Sequence, residues 1–281
     1  MGSAPLDDTD RRAAESAEPK GPAEYTIGCV TPRPPASPLR PRSGVVRHFL
    51  ARAFTWVAVR CYVRVRLEGR ERLPAGPAVL CFSHQNWSDV FVLLAALPWR
   101  PRLYIFGPLE ADMGRGIRNR LIRWSDTALP ARPDRDDLRS SARRASDVLH
   151  AGGVVAIAGE GRIHLGEGEL LPLWPGAAYF ALRAGVPLVP VAVNGTGWLR
   201  LGRTVRVRVG APLTPDGRPS SRAVAELNER AWNSLHGLVQ DYPDNLPPGP
   251  VGRWITELFN DWPEGARPTL PVRPGAERTA T

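Results

Sequence analysis

The chain has 281 residues, 37 of them lysine or arginine against 28 aspartate or glutamate, for a net charge of +9 and a pI near 10.4. That length carries one sizeable core with tails, and a hydrophobic content of 43% excludes a wholly disordered chain. Cys29, Cys61 and Cys81 have neither disulfide nor metal-ligand spacing, so no metal is expected. The positive balance points to anionic partners such as a membrane surface, nucleic acid or phosphorylated substrates. Lys20 is the only lysine, however, and an arginine-, alanine- and proline-rich chain also follows from a GC-rich genome, so charge alone names no partner. No nucleic-acid motif and no aromatic-basic strand face is present, and nucleic acid is not an expected partner.

In chain order, residues 1–42 mix proline, alanine, arginine and acidic residues without an apolar period and read as a disordered N-terminal tail. The acidic Asp7-Asp8 segment has no apolar core behind it, so no signal peptide is expected. Residues 43–72 read as a basic amphipathic, membrane-facing helix, its apolar bulk interrupted by Arg47, Arg52, Arg60 and Arg64. No uncharged stretch there approaches the ~20 residues a spanning helix needs. Two placements fit: in the headgroup layer, or packed on the domain with its arginines solvated.

Residues 73–241 alternate strand and helix patterns. Pro77–Phe82, Leu103–Phe106, Val154–Ala158 and Leu188–Val193 are short apolar runs of the buried-strand type. Val90–Leu97, Gly116–Trp124, Asp134–Leu149, Trp174–Ala184 and Arg218–Val239 have helical character. Thr204–Val209 alternates strictly, as a strand with one wet face does at a sheet edge. The expected fold is α/β, a single domain with a mixed sheet flanked by helices. Residues 242–281 form a Pro-rich C-terminal tail around one amphipathic piece, Trp254–Phe259.

The chemistry concentrates at strand ends. His84 and Asp89 stand five apart where the first apolar strand hands over to a helix. On a continuous helix that spacing splays the side chains apart. With Asn86 as N-cap and Asp89 in the first turn, the imidazole can fold back onto the carboxylate. An aspartate that accepts from one ring nitrogen fixes the tautomer and frees the other nitrogen to take a proton. No G-x-S-x-G elbow supplies a nucleophile, so the base would act on a hydroxyl or amine of the substrate. An isolated pair of this kind is more often structural, and the other blocks carry the argument. Gly159-Glu160-Gly161-Arg162 follows the strand ending at Ala158, and Thr127–Arg132 ends an extended segment in arginine. Carboxylate and guanidinium at a strand's C-terminal end suit a phosphate- or hydroxyl-bearing acceptor.

In order and spacing these blocks, with Gly185–Thr196 after them, resemble the glycerolipid acyltransferase family, whose best-known members are 1-acylglycerol-3-phosphate acyltransferases. The resemblance covers about residues 75–210 and implies the glycerol-3-phosphate acyltransferase-like fold. It implies His84 as general base and Asp89 as its orienting partner. It implies acceptor binding by Arg132, Glu160, Gly161 and Arg162, and a pocket lined by Val186–Val193. The implied donor is acyl-CoA or acyl carrier protein, the acceptor a lysolipid, first among them 1-acylglycerol-3-phosphate, with no cofactor and no covalent acyl-enzyme. A lyso-aminolipid or glycolipid acceptor, or a catalytically silent lipid-binding relative, is the alternative. The expected location is the cytoplasmic face of the cell membrane, as a peripheral protein. Two departures stand out: Gly159 replaces the family's proline before Glu160, and Leu173-Trp174-Pro175-Gly176 offers no lysine where family members often carry one.

Overall fold

The computed structural model describes residues 42–108, 124–125, 127–131, 135–161, 163, 168–217, 219–239 and 248–257. The expected helix over 116–124 lies almost wholly outside them, and so does the N-terminal tail. Helix α1 spans Arg42–Tyr62, followed by β1 Arg64–Glu68, β2 Ala78–Phe82, α2 Asp89–Ala96, β3 Leu103–Pro108 and β4 Ala128–Ala131. Then come α3 Arg135–His150, β5 Val154–Ala158, α4 Gly176–Ala184, β6 Leu188–Asn194, β7 Thr204–Val209, α5 Ser221–Val239 and α6 Pro250–Glu257. The strands make one seven-stranded sheet in the order β1-β7-β6-β2-β5-β3-β4, parallel except for the antiparallel β6–β7 pair. This is the mixed α/β sheet expected from the pattern.

The period of two explains why the central strands are apolar throughout. On β2, Val79 and Cys81 face the core beneath α3, α4 and α5. Ala78, Leu80 and Phe82 face the opposite core, shared with α2 and the inner side of α1. Every β2 and β6 residue is buried, so a polar side chain at these positions would meet apolar neighbours on either face.

Two boundaries differ from the sequence reading. Residues 43–72 are not one helix. Val63 N still donates to Val59 O, but Arg64 N turns to Arg203 O, and Arg64–Glu68 pairs in parallel with Thr204–Arg208. The alternation Arg64-Val65-Arg66-Leu67-Glu68 is a strand pattern, hidden in the sequence by the arginines that continue from the helix. The same pairing corrects β7: it keeps its alternation but lies inside the sheet, because β1 covers the edge. The sheet domain therefore begins before residue 73. At the other end, 250–257 is a helix, part of it packed on the domain, rather than plain tail.

Helix α1 is inverted for a helix in water. His48, Arg52 and Thr55 are buried on its inner face, whereas Val46, Leu50, Phe54 and Val57 point out, Phe54 being 77% exposed. Arg52 is the anchor. Its Nε donates to Leu94 O at 2.9 Å and one terminal nitrogen to Leu97 O at 2.6 Å, at the C-terminal end of α2. Its guanidinium also lies 5.4 Å from the Trp99 ring centroid. Those carbonyls are among the groups a helix end leaves without an intrahelical partner, and they sit at the negative end of the helix dipole. Burial lowers the Arg52 pKa to about 10, so it stays charged at neutral pH.

Arg52→Met, which keeps much of the volume and removes the donors, is expected to destabilise the fold by about 2–4 kcal/mol, because the two buried carbonyls lose their charged partner. Urea unfolding checks this: a midpoint equal to wild type would remove Arg52 from the anchoring role.

Candidate active site

The site is built on β2. Its pairing with β5 sets Phe82 opposite Ala158, and Gly159 N donates to Phe82 O at 2.9 Å. Two residues beyond each register partner stand His84 and Glu160. Blocks separated by seventy-six positions thus emerge side by side at the C-terminal ends of neighbouring parallel strands, where open α/β sheets place their sites.

The His84–Asp89 contact forms as the spacing allows. His84 Nδ1 lies 3.0 Å from Asp89 Oδ2, and the backbone N–H groups of Gln85 and Asn86 donate to the same oxygen at 2.7 and 2.9 Å. A carboxylate oxygen only accepts, so Nδ1 is the donor in this contact, and in the neutral imidazole that tautomer puts the lone pair on Nε2. Asp89 is fully buried, whereas the His84 side chain keeps 18% of its surface. The ring packs edge-on against Phe82 with centroids 5.7 Å apart.

The local capping differs from the expectation. Ser88, not Asn86, is the N-cap of α2, and Asp89 is its first residue. Asn86 Oδ1 accepts from Ser88 N at 3.0 Å, an Asx turn that closes the preceding bend. Asp89 therefore reaches backward to the turn and orders 84–86 rather than capping its own helix.

Ser83 is no nucleophile. Its Oγ donates to Val193 O at 3.3 Å and accepts from Val193 N at 2.9 Å, so the hydroxyl serves as a cross-strand clip to β6. On the far side of the turn, Thr196 Oγ1 donates to Gln85 Oε1 at 3.4 Å, both residues buried. The Gly185–Thr196 block thus touches the His84 turn directly through its last residue.

The Gly159-Glu160-Gly161 turn explains one departure. A Cβ on Gly159 would stand 2.7 Å from Cys81 Sγ and 2.7 Å from Leu173 Cδ2, so a proline or any other side chain there would have to displace them. Gly161 has φ +66°, and a Cβ there would stand 3.0 Å from the Trp174 ring. Glu160 is buried under the turn rather than at its rim, and the exposed part of the turn is Gly161. Burial pushes the Cys81 thiol up to about 12, with the Glu160 charge adding to the effect. Arg132 and Arg162 lie outside the described residues. No group of three or more histidine, cysteine or acidic side chains among the described residues could hold a metal ion. Sequence reasoning passed over Trp87, whose ring nitrogen bonds the far C-terminal helix, because nothing local announces a partner 168 residues away.

The described residues thus bring together a strand-end histidine and a buried aspartate bonded to it, beside the Gly159–Gly161 turn. Residues 64–194 match the model of the acyltransferase family. Over 156 residues the chain is 27% identical to the chloroplastic 1-acyl-sn-glycerol-3-phosphate acyltransferases BAT2 of Brassica napus and LPAT1 of Arabidopsis thaliana. Those matches cover 53% of this chain and 43% and 41% of the relatives, so it spans less than half their length. The solved 1-acyl-sn-glycerophosphate acyltransferase PlsC of Thermotoga maritima shares the fold, with a TM-score of 0.53 at 19% identity over 70% of this chain and 81% of that one. Over residues 64–194 the chain is thus similar to the acyltransferase family, and it shares its fold with a solved member of the 1-acylglycerol-phosphate acyltransferases.

The chemistry of Cys81 gives a direct check on the turn. A thiol whose folded value stands near 12 against an ordinary 9.0 stays protonated in the fold while its unfolded counterpart ionises. Its stabilising share is present below pH 9.0 and drains as the pH rises toward 12. At pH 8, iodoacetamide is expected to label exposed Cys61 in the native protein and Cys81 only after unfolding. Peptide mass mapping that finds Cys81 labelled at the native rate would contradict this packing.

Proposed function

We propose that this protein transfers a fatty acyl group from a thioester, acyl-CoA or acyl carrier protein, to a lysolipid hydroxyl, 1-acylglycerol-3-phosphate being the leading acceptor. The observation that carries the reading is the convergence of three donors on Asp89 Oδ2, which engages His84 Nδ1 and leaves Nε2 as the ring nitrogen of a partly exposed side chain that can take the proton. Nε2 takes the acceptor's hydroxyl proton as the oxygen attacks the thioester carbonyl. The tetrahedral intermediate then collapses with cleavage of the C–S bond, and the leaving thiolate recovers the proton from His84. No acyl-enzyme forms, in keeping with Ser83 being clipped to Val193.

On this reading Arg132 and Arg162 grip the phosphate, the backbone of Gly161 borders it, and Glu160 sets the turn from beneath. No cofactor is required. Trp174 favours a second acceptor class: its exposed indole lies against Gly161, where a basic residue would suit a phosphate better, and a lyso-aminolipid or glycolipid fits that surface.

Thiol release from acyl-CoA, measured over a panel of lysolipids, tests both. Removing a general base of this kind costs about 10²–10⁴-fold, so His84→Ala is expected to lose at least that much. Turnover equal to wild type would end the catalytic assignment, and the preferred lysolipid decides between the acceptors.

We place the protein at the cytoplasmic face of a membrane, as a peripheral protein, and the inverted α1 supports the contact with a membrane. Val46, Leu50, Phe54 and Val57 recur every three or four residues on the exposed face, with Arg47 and Arg60 near the ends. That order suits an apolar ridge sunk among acyl chains with guanidiniums at the headgroups. No described helix is long and apolar enough to cross a membrane. The double change Leu50→Asp, Phe54→Asp is expected to abolish co-sedimentation with anionic vesicles while leaving the far-ultraviolet circular dichroism spectrum unchanged. Retained binding would show that α1 is not the anchor.

A further inference from the structure

Helix α6 lies outside the segment that matches the family, yet it holds both loops that frame His84. Its first hold is on the turn itself. Trp87 stands inside the His84–Asp89 block, and its ring nitrogen donates to Ile255 O at 3.2 Å, while its ring packs edge-on against Phe91 of α2 with centroids 5.5 Å apart. The second hold is on the loop after β6. Leu199 N donates to Thr256 Oγ1 at 2.9 Å, and that hydroxyl donates in turn to Gly252 O at 2.7 Å. Thr256 is fully buried. The backbones approach so closely that a Cβ on Gly252 would stand 2.0 Å from Leu199 O. The two gripped loops also meet each other through Thr196 and Gln85. Helix, turn and loop therefore close a ring of contacts around the backbone that supplies the Gln85 and Asn86 amides to Asp89.

We propose that α6 is a positioning strap for the proposed base: Trp87 and Thr256 hold the 84–89 turn in the geometry that keeps His84 bonded to Asp89. Neither residue touches the reacting atoms. They act through the turn, and the inference rests on the acyl-transfer reading for its kinetic consequence but not for its structural one. Trp87 is one residue from Asn86, whose N–H is an Asp89 donor, and one from Ser88, the N-cap of α2. A turn free to shift by a fraction of an ångström weakens the donors on Asp89 and with them the fixed tautomer and aim of the imidazole. A Val at 256 keeps the volume and removes both the acceptor for Leu199 N and the donor to Gly252 O. A Ser keeps both.

Two readouts on the full chain test the strap, at a temperature where every variant is folded by circular dichroism. The first is amide hydrogen exchange of the peptide covering 84–89, which needs no activity. Exchange about tenfold faster is expected in Thr256→Val and in Trp87→Phe, with Thr256→Ser close to wild type. The second is thiol release, in which kcat falls about tenfold in both variants, KM for donor and acceptor stays within about twofold, and Thr256→Ser restores kcat. Should Thr256→Val fail to fold, Trp87→Phe, which keeps an aromatic ring and loses the N–H, reads both. Unchanged exchange in the folded variants overturns the strap, and so does a rise in KM with kcat intact. A wild-type chain that releases no thiol overturns the acyl-transfer reading instead, and exchange still decides the strap.

Discussion

One oxygen organises this site. Asp89 Oδ2 collects His84 Nδ1 and the amides of Gln85 and Asn86 within 3.0 Å, in a pocket sealed from solvent. A buried carboxylate without such donors is expensive. With them it converts a five-residue spacing, unusable on a regular helix, into a compact turn with an oriented imidazole. The helix that follows supplies the rigid platform, and Arg52 secures the other end of that helix by its carbonyls. The putting of a guanidinium under α1 is thus tied to the site through the eight residues of α2.

The sheet does the rest of the positioning. Because β2 pairs in parallel with both β5 and β6, three chain segments far apart in sequence emerge at the same edge of the sheet, β2 and β5 ending level and β6 three residues further on. The His84 turn, the Gly159–Gly161 turn and the loop reached by Thr196 follow from that register. Close packing then fixes residue choice. Glycine suits position 159 because Cys81 and Leu173 occupy the space a side chain would need.

Membrane and site face related demands. Helix α1 buries polar His48, Arg52 and Thr55 and exposes apolar Phe54 and its neighbours, the reverse of what water selects. The inward polar face is stable because Arg52 finds carbonyls to bond. Among the described residues the outward face has no comparable protein cover, which is why a lipid surface is the proposed partner.

Much of this was legible in the residues themselves. The α/β class followed from apolar runs of strand length alternating with helical spacing, and the His84–Asp89 contact followed from a strand-to-helix handover that lets five residues fold back. The order of the blocks was enough to bring the acyltransferase resemblance into view. What local pattern did not decide were the relations between distant segments. The strand Arg64–Glu68 was masked by arginines shared with the helix before it, and its parallel partner lies some 140 positions on. The inward turn of Arg52 depended on carbonyls at 94 and 97, and the clasp of α6 on Trp87 depended on a partner 168 positions away. Sequence by itself determined the periodicities and the chemistry available at each strand end, because both are local. Only the tertiary structure decided which polar groups would be buried together, because burial and hydrogen bonding across the chain are settled by packing.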